Sequence, residues 1–274
     1  VVGKEDVDKI VKVFKENSTI NFADYSEKSF IRRLEKILID ENCTIDDIVS
    51  KIETDNIYLN FIKNTITVNT TELFRDSEMW LNLKIPFKNY IKHKSELQIW
   101  HAGVSTGEEL YSMKMFLQMI GYSENLTLIG TDLNDKVIEL AKAGVYKNNI
   151  IADYIQNFDL VNNTFNYLDA IKLTDFANFN KATNKIEIKP SFKKDTDFFV
   201  LDLLNAEYNF QENFDIIMCR NVLIYFNLEL QNKILNKFHN LLKPKGLLIL
   251  GTHESIMPPI SNKFKKTDGF YEKK

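Results

Sequence analysis

Residues Gln98 to Ser112 read QIWHAGVSTGEELYS. The stretch opens on the apolar Ile99 and Trp100, passes through Gly103 and Gly107, and enters a helical pattern near Glu108. In an α/β chain that order means strand, tight loop and helix N-terminus, where backbone N–H groups and the positive end of a helix collect a ligand. The glycine spacing is Gly103-x-x-x-Gly107, not the G-x-G-x-x-G of a dinucleotide loop, and the second glycine is followed by Glu108 and Glu109. Two carboxylates at the mouth of a half-buried pocket repel a pyrophosphate and suit a cation.

Downstream, strand-like runs at 97–102, 126–131, 196–201, 214–219 and 246–251 alternate with helical stretches at about 108–120, 134–143 and 228–242. This alternation predicts an α/β fold with a mostly parallel sheet and flanking helices. The turn Lys243-Pro244-Lys245-Gly246 is expected to end the last helix and return the chain to the sheet. Between about 148 and 195 the chain is rich in Asn, Asp, Lys and Phe, and Lys185 to Lys189 (KIEIK) alternates as a two-sided strand does, so a small inserted antiparallel element is expected there.

Upstream the pattern is helical throughout. Val7, Ile10, Val11 and Phe14 predict a helix over 5–16, and Phe30, Ile31, Leu34, Ile37 and Leu38 another over 27–39. Thr44 with Asp46 and Asp47 caps a third ending near Glu53, and Ile57 to Ile62 supports a fourth. The expected organisation is a helical domain over 1–65, a linker and lead-in helix over 66–96, and the α/β domain over 97–274.

The chain has 274 residues, 44% hydrophobic and 27% charged, which supplies a proper core for one large domain or two. A formal net charge of −3 argues against a general nucleic-acid binder. Cys43 and Cys219 are too few and too far apart for a disulfide framework or a zinc site, and the four histidines show no ligand spacing, so no metal is expected. No apolar run approaches the roughly 20 residues of a membrane helix, and no signal segment opens the chain. The expectation is a cytoplasmic monomer without membrane insertion. Because Val1 is not a natural start, further residues or a separate module are expected before it.

Several strand ends carry polar residues that suit a nucleoside. The second strand ends in Thr131-Asp132, 29 residues after Gly103, where an acidic residue accepts hydrogen bonds from ribose hydroxyls; Asp132 could equally cap the helix that follows. The third ends at Asp202-Leu203, a carboxylate for an adenine amino group and a leucine to cover the ring. The fourth ends in Cys219-Arg220-Asn221-Val222-Leu223-Ile224-Tyr225-Phe226, where Arg220 could instead pair with a nearby carboxylate and Tyr225 could be a core aromatic. Ligands in open α/β sheets sit at the carboxyl ends of the strands, so these ends converge on one crevice. S-adenosylmethionine, which carries an ammonium and a sulfonium and no phosphate, matches the paired glutamates. The stretch Val68 to Asp76 (VNTTELFRD) reads by itself as a linker.

In this order NTTELFRD, IWHAGVSTGEELYS, GTDLNDKVIELAKAGVY, FDIIMCRNVLIYFN and LLKPKGLLILGTHESI resemble the CheR family of chemotaxis receptor methyltransferases, which are S-adenosylmethionine-dependent protein-glutamate O-methyltransferases. The resemblance spans roughly residues 20 to 272. It implies a Rossmann-like class I methyltransferase sheet with a small inserted antiparallel β-subdomain, preceded by an all-helical domain. It implies cofactor contacts by Asn69, Thr71 and Arg75 in the linker motif, Gly103 in the loop, Glu108 at the amino-acid end, Asp132 at the ribose and Asp202 and Leu203 at the adenine. Arg220 and Asn221 would also contact the cofactor, with Tyr225 facing the transferred methyl. Catalytic roles then fall to Arg75 and Tyr225. The implied substrate is a glutamate on the cytoplasmic helices of a chemoreceptor or related signalling protein, and the products are a methyl ester and S-adenosylhomocysteine.

Some residues depart from the family pattern. Asp202 stands where many members have Asn. His101 and Val104 replace small residues and are expected to tighten the pocket. The inserted segment is Phe- and Lys-rich instead of glycine-rich, so binding of the receptor-tail peptide recognised by some members is not expected. A cofactor-sensing interaction module without catalysis is the alternative from another class, ranked lower because Arg75 and Tyr225 are both present; a nucleotide-dependent oxidoreductase lacks its glycine fingerprint. Lys28, Arg32 and Lys36 fall at i, i+4 and i+8 on one helix face, either a solvated face or a docking stripe for an acidic receptor helix.

Overall fold

The computed structural model describes residues 2–18, 22–23, 25–67, 69–147, 151–165, 171–180, 182–204, 210 and 213–274. Val68 and parts of the segment expected at 148–195 lie outside the described residues. Contacts divide the chain into two units, Val1–Val68 with Val222–Lys233, and Asn69–Asn221 with Ile234–Lys274.

The first unit holds helices α1 (Lys4–Asn17), α2 (Glu27–Glu41), α3 (Ile45–Thr54) and α4 (Asn56–Ile66). α3 begins at Thr44 because a capping box closes it: Asp47 N–H donates to Thr44 Oγ1 at 3.2 Å, and Thr44 N–H donates back to the Asp47 carboxylate at 2.8 Å, worth about 1 kcal/mol. Asp55 caps α4, accepting from the N–H groups of Ile57 and Tyr58. α1 buries Val7, Ile10, Val13 and Phe14, so Val13 completes the inner face where Val11 was expected. Phe22 anchors the core, edge-on to Phe14 at 4.9 Å and tilted against Phe30 at 5.4 Å. The segment 222–233 joins this unit through Ser26 N–H, which donates to the Tyr225 carbonyl at 2.7 Å, and through Tyr25, which bridges Phe226.

The second unit opens with α5 (Ser77–Ile91), β1 (Glu96–Ala102), α6 (Glu108–Met119), β2 (Asn125–Asp132) and α7 (Asp135–Ala143). β3 (Val145–Lys147), α8 (Ile151–Asn162), the short α9 (Leu173–Phe176), β4 (Ala177–Asn180), β5 (Lys185–Ile188) and the short α10 (Pro190–Lys193) follow. The chain then runs through β6 (Thr196–Val200), β7 (Phe214–Cys219), α11 (Leu228–Leu241, of which the residues from Ile234 belong here), β8 (Leu242–Leu250), β9 (Phe264–Thr267) and β10 (Phe270–Lys273). The main sheet has the order β6-β2-β1-β7-β8-β10-β9. Its first five strands are parallel, β10 adds antiparallel to β8, and β9 adds antiparallel to β10. From β1 the chain works outward through β2 to β6, then returns on the other side of β1 as β7. The carboxyl ends of β1 and β7 therefore form the topological switch point, where such sheets bind ligands.

Three elements differ from the sequence reading. The inserted segment does contain an antiparallel sheet, β3-β5-β4, but its middle is the helix α8. Ile151, Tyr154, Phe158 and Val161 recur there at helical spacing and are buried, a pattern hidden by the Asn and Asp between them. The turn expected at Lys243–Gly246 is the irregular start of β8: Phe214 pairs with Leu242 and Ile216 with Leu247, so the extra residues bulge, with Lys245 at φ 59°. The closing hairpin β9–β10 is too short and lysine-rich to stand out as alternating strands.

Among the described residues no helix is long and apolar enough to cross a membrane, and no group of three or more His, Cys, Asp or Glu could hold a metal ion.

Candidate active site

The loop after β1 is built on β2. Gly103 and Val104 N–H both donate to the Thr131 carbonyl, at 2.8 and 2.9 Å, while Trp100 Nε1 donates to Thr131 Oγ1 at 2.9 Å. Gly107 then starts α6 at φ 93°, and a Cβ there would stand 2.9 Å from that of Ala141, so the loop needs glycine for conformation and space alike. The loop folds back on the tip of β2. Ser105 N–H donates to Asp132 Oδ2 at 2.9 Å, and Asn134 N–H donates to Oδ1 at 3.0 Å. Burial pushes the Asp132 carboxyl above its ordinary range, opposed by these backbone bonds. The capping alternative for Asp132 falls to its neighbour: Asn134 Oδ1 accepts from Lys136 and Val137 N–H and is the cap of α7. Asp132 thus lies bonded to the glycine loop at the carboxyl edge.

Glu108 and Glu109, expected together at the mouth, point to different partners. Glu108 is 2% exposed. Its Oε2 accepts from the Thr106 hydroxyl and its Oε1 from the Tyr154 hydroxyl, both at 2.6 Å. Burial drives its carboxyl upward, against these two bonds. Among the described residues no cation pairs with it. Glu109 is compensated inside the protein, accepting from Arg220 Nη1 at 3.0 Å and lying 3.0 Å from His101 Nδ1. Burial pushes its carboxyl up, but the His101 bond and the Arg220 charge outweigh burial and hold it below the ordinary range. Of the two glutamates, Glu108 is the one without a cationic partner among the described residues, which departs from the paired-carboxylate reading. His101, expected to tighten the pocket, spends Nδ1 on Glu109, and Val104 is buried.

Arg220, at the end of β7, is the hub of a second set. Nη2 donates to Asp76 Oδ2 at 2.6 Å and to the Arg75 carbonyl at 3.3 Å, in addition to the bond to Glu109. The segment 69–76 is therefore tied into the second unit. Leu73 and Phe74 are fully buried, Phe74 N–H donates to Ser112 Oγ at 2.8 Å, and Trp80 Nε1 donates to the Arg75 carbonyl at 3.1 Å. Arg75 Nη1 donates to the Thr70 carbonyl at 2.9 Å. Asn69 and Thr71 are half-buried.

Asn221 follows in the left-handed conformation, at φ 59°, and its N–H donates to Glu254 Oε2 at 2.8 Å; Gly251 N–H shares that oxygen at 2.7 Å. A Cβ on Gly251 would lie 2.8 Å from Glu254 Oε2 and 3.0 Å from Asn221 N, so this close approach also requires glycine. At the β6 end Asp202 Oδ1 accepts from Leu204 N–H at 2.8 Å, burial raises its carboxyl, and Leu203 is buried. Tyr225 belongs to the first unit, in the short helical turn Leu223–Tyr225.

Sequence reasoning missed Asp76, Glu109 and Glu254 as the groups that aim Arg220 and Asn221. Their signal was adjacency, since all three lie inside motifs already quoted. Tyr154 had no such signal.

This sheet order, with its glycine loop, acidic β2 tip and switch point at β1 and β7, is the Rossmann-like fold of a class I S-adenosylmethionine-dependent methyltransferase. A family model described as CheR methyltransferase, SAM binding domain, matches residues 69–271. A chemotaxis protein methyltransferase of Borreliella burgdorferi is 29% identical over 270 residues, covering 93% of this chain and 89% of its own. Chemotaxis protein methyltransferase 1 of Pseudomonas aeruginosa is 29% identical over 235 residues, 82% of this chain and 80% of its own. A Pseudomonas putida protein named Cher3 is 30% identical over 237 residues, 86% of this chain and 83% of its own. The chain belongs to the CheR methyltransferase family, and it is a methyltransferase that uses S-adenosylmethionine.

Proposed function

We propose that the enzyme methylates glutamate side chains on the cytoplasmic helices of a chemoreceptor or related signalling protein. The observation that carries the reading is Glu108: a buried carboxylate at the head of α6 with hydroxyl donors and no cationic partner among the described residues. Such a group is costly unless a charge arrives to compensate it, and an amino-acid ammonium is that charge. Asp132 then receives the ribose hydroxyls, Asp202 the adenine amino group, and Leu203 covers the ring. A carboxylate at 202 accepts from that amino group but cannot donate to a ring nitrogen. Asn69, Thr71 and Gly103 line the same cofactor, with Arg220 and Asn221 facing it from the end of β7.

When bound, S-adenosylmethionine supplies a methyl group activated on a sulfonium. A glutamate with an ordinary pKa of about 4.3 is ionised at pH 7, so the protein needs no general base. The work of the residues is alignment and exclusion of water, which together can contribute on the order of 7–11 kcal/mol. Arg75 is the candidate that holds the incoming carboxylate by charge-assisted hydrogen bonds. Tyr225 orients it towards the methyl. Arg75 and Tyr225 hold one carboxylate oxygen in line with the methyl carbon that the cofactor would supply to it, the former carbon–sulfur electron pair staying on the thioether sulfur.

The helical residues 1–65 are proposed to dock the receptor, and the enzyme to work in the cytoplasm as a monomer. The test is incubation with methyl-labelled cofactor and receptor-containing membranes, followed by mild base. Release of labelled methanol is expected, since a glutamyl methyl ester hydrolyses to it; label that resists base would point to another acceptor atom.

A further inference from the structure

The inserted segment reaches the loop below α6 at two points. Tyr146, on β3, donates its hydroxyl to the Thr106 carbonyl at 3.0 Å, and Tyr154, on α8, donates to Glu108 Oε1 at 2.6 Å. Their rings meet edge to face at 5.8 Å. One turn further along α8, Asn157 Nδ2 donates to the Leu73 carbonyl at 3.1 Å, and Phe158 lies edge-on to Phe74 at 5.9 Å. α8 thus braces the head of α6 and the 69–76 segment, and β3 braces the glycine loop. Each oxygen of Glu108 carries one short O–H bond, from Thr106 two residues before it and from Tyr154, 46 residues after it.

We propose that Tyr154 is a positioning residue for methyl transfer: its hydroxyl fixes the side chain of Glu108 in the orientation that receives the amino group of the cofactor, so the inserted segment takes part in cofactor binding through α8. This rests on the reading of Glu108 as the partner of that amino group. A glutamate left to itself would have to be ordered by the ligand, at the expense of affinity, and one held from both oxygens is ready beforehand. Both oxygens keep a lone pair, since an ionised carboxylate offers about four acceptor sites.

The arrangement has a signature in pH. The titratable groups around Glu108 are Tyr154, Tyr146 and Tyr111, all raised by burial above the ordinary phenol range, with Glu72 acting on Tyr154 as a further cause of its rise. These phenols stay protonated near neutral pH, so Glu108 is the group that titrates. Burial raises its carboxyl, and the Thr106 and Tyr154 bonds, which favour the charged form, oppose the rise. Removing the Tyr154 hydroxyl leaves burial less opposed and moves the protonation of Glu108 to higher pH. A cationic amino group needs the ionised form, so cofactor affinity should fail at a higher pH in the variant.

The experiment is calorimetric titration of the full chain with S-adenosylhomocysteine from pH 5 to 8, with thermal unfolding of each variant alongside. Tyr154→Phe, which deletes only the hydroxyl, is expected to weaken binding roughly tenfold at neutral pH and to shift the acid-side loss of affinity upward. Thr106→Val, which frees the other oxygen, should shift it the same way. Tyr111→Phe removes a buried hydroxyl bonded to the Ala141 carbonyl at 2.8 Å, and it should keep the wild-type midpoint even if it melts earlier. Asp132 titrates in every variant and cancels in the comparison. Glu108→Gln distinguishes the role of Tyr154 from that of Glu108. If it weakens binding while Tyr154→Phe leaves the midpoint in place, the role given to Tyr154 is overturned and that of Glu108 stands. Should Glu108→Gln bind as wild type, the cofactor reading of Glu108 itself fails.

Discussion

Asp132 is held by Ser105 N–H and Asn134 N–H, so its carboxylate is oriented by the backbone. Asp132→Ala is expected to weaken S-adenosylhomocysteine binding by about 1–3 kcal/mol through lost ribose bonds, measured by calorimetry; equal affinity in the two proteins would remove Asp132 from the site. Arg75 and Tyr225 make a different prediction, because their proposed partner is partly the incoming carboxylate. Arg75→Ala and Tyr225→Phe should lower the single-turnover rate at saturating cofactor more than they lower cofactor affinity, and a variant that keeps the wild-type rate loses its assignment. Arg220 shows why spacing alone left two readings open. Its salt bridges to Asp76 and Glu109 are present and hold a nearly fully buried guanidinium at the end of β7, so the ion-pair reading is observed and the cofactor contact is proposed for the same residue. Such a hub joins residues 75, 109 and 220, and no local pattern announces a contact across 111 or 145 positions.

At the scale of elements, the parallel strands were legible because each is a short apolar run bounded by turn residues, and the glycine loop because its strand and helix patterns meet within a few residues. α8 was not, since its buried positions are spaced by asparagine and aspartate, and composition outweighed periodicity. The start of β8 was missed for a physical reason: Pro244 and Gly246 signal a turn, and the sheet absorbs that turn as a bulge against β7. Asp215 secures the opposite edge of the same strands. Its Oδ1 accepts from Lys94 at 2.6 Å, and its Oδ2 accepts from Lys243 at 2.9 Å and from Gln98 N–H at 3.1 Å. One side chain therefore joins β7 to β1 and to the bulge of β8. Burial raises its carboxyl, but the two lysines and the backbone bond bring it below the ordinary value of 3.8. Its folded-state pKa being lower than the unfolded one, the stabilisation is present above about pH 3.9 and is lost as pH falls through the folded value. Asp215→Ala should cost about 2–3 kcal/mol at pH 7, since the lysines are partly exposed and regain water while the Gln98 N–H loses its acceptor. Urea unfolding at pH 7 and again near pH 3 checks this; a difference between the proteins that persists undiminished at the lower pH would mean packing, not charge, carries the effect.

Over the whole molecule the charge is −3, and the first 75 residues carry 11 Lys or Arg against 14 Asp or Glu, which at first opposes docking of an acidic receptor helix to the helical domain. The local field decides the matter more than the total. α2 buries Phe30, Leu34 and Ile37 on one face, and Lys28, Arg32 and Lys36 stand exposed, one turn apart, along another. Among the described residues none of these three cations forms a salt bridge, so their field is not cancelled at short range. An exposed row of this kind adds little to stability, because solvent screens it, and the same openness lets it act on an approaching partner. If it steers the substrate, Lys28→Glu with Lys36→Glu should slow receptor methylation several-fold at low salt. Raising ionic strength to about 0.15 M, where the screening length is about 8 Å, should shrink the difference. Binding of S-adenosylhomocysteine should not change, because the substitutions act on encounter and not on the cofactor. Methylation by the double variant at the wild-type rate in low salt would move docking off α2, and the next surface to test would be the lysines from Lys185 to Lys194 on and beside β5.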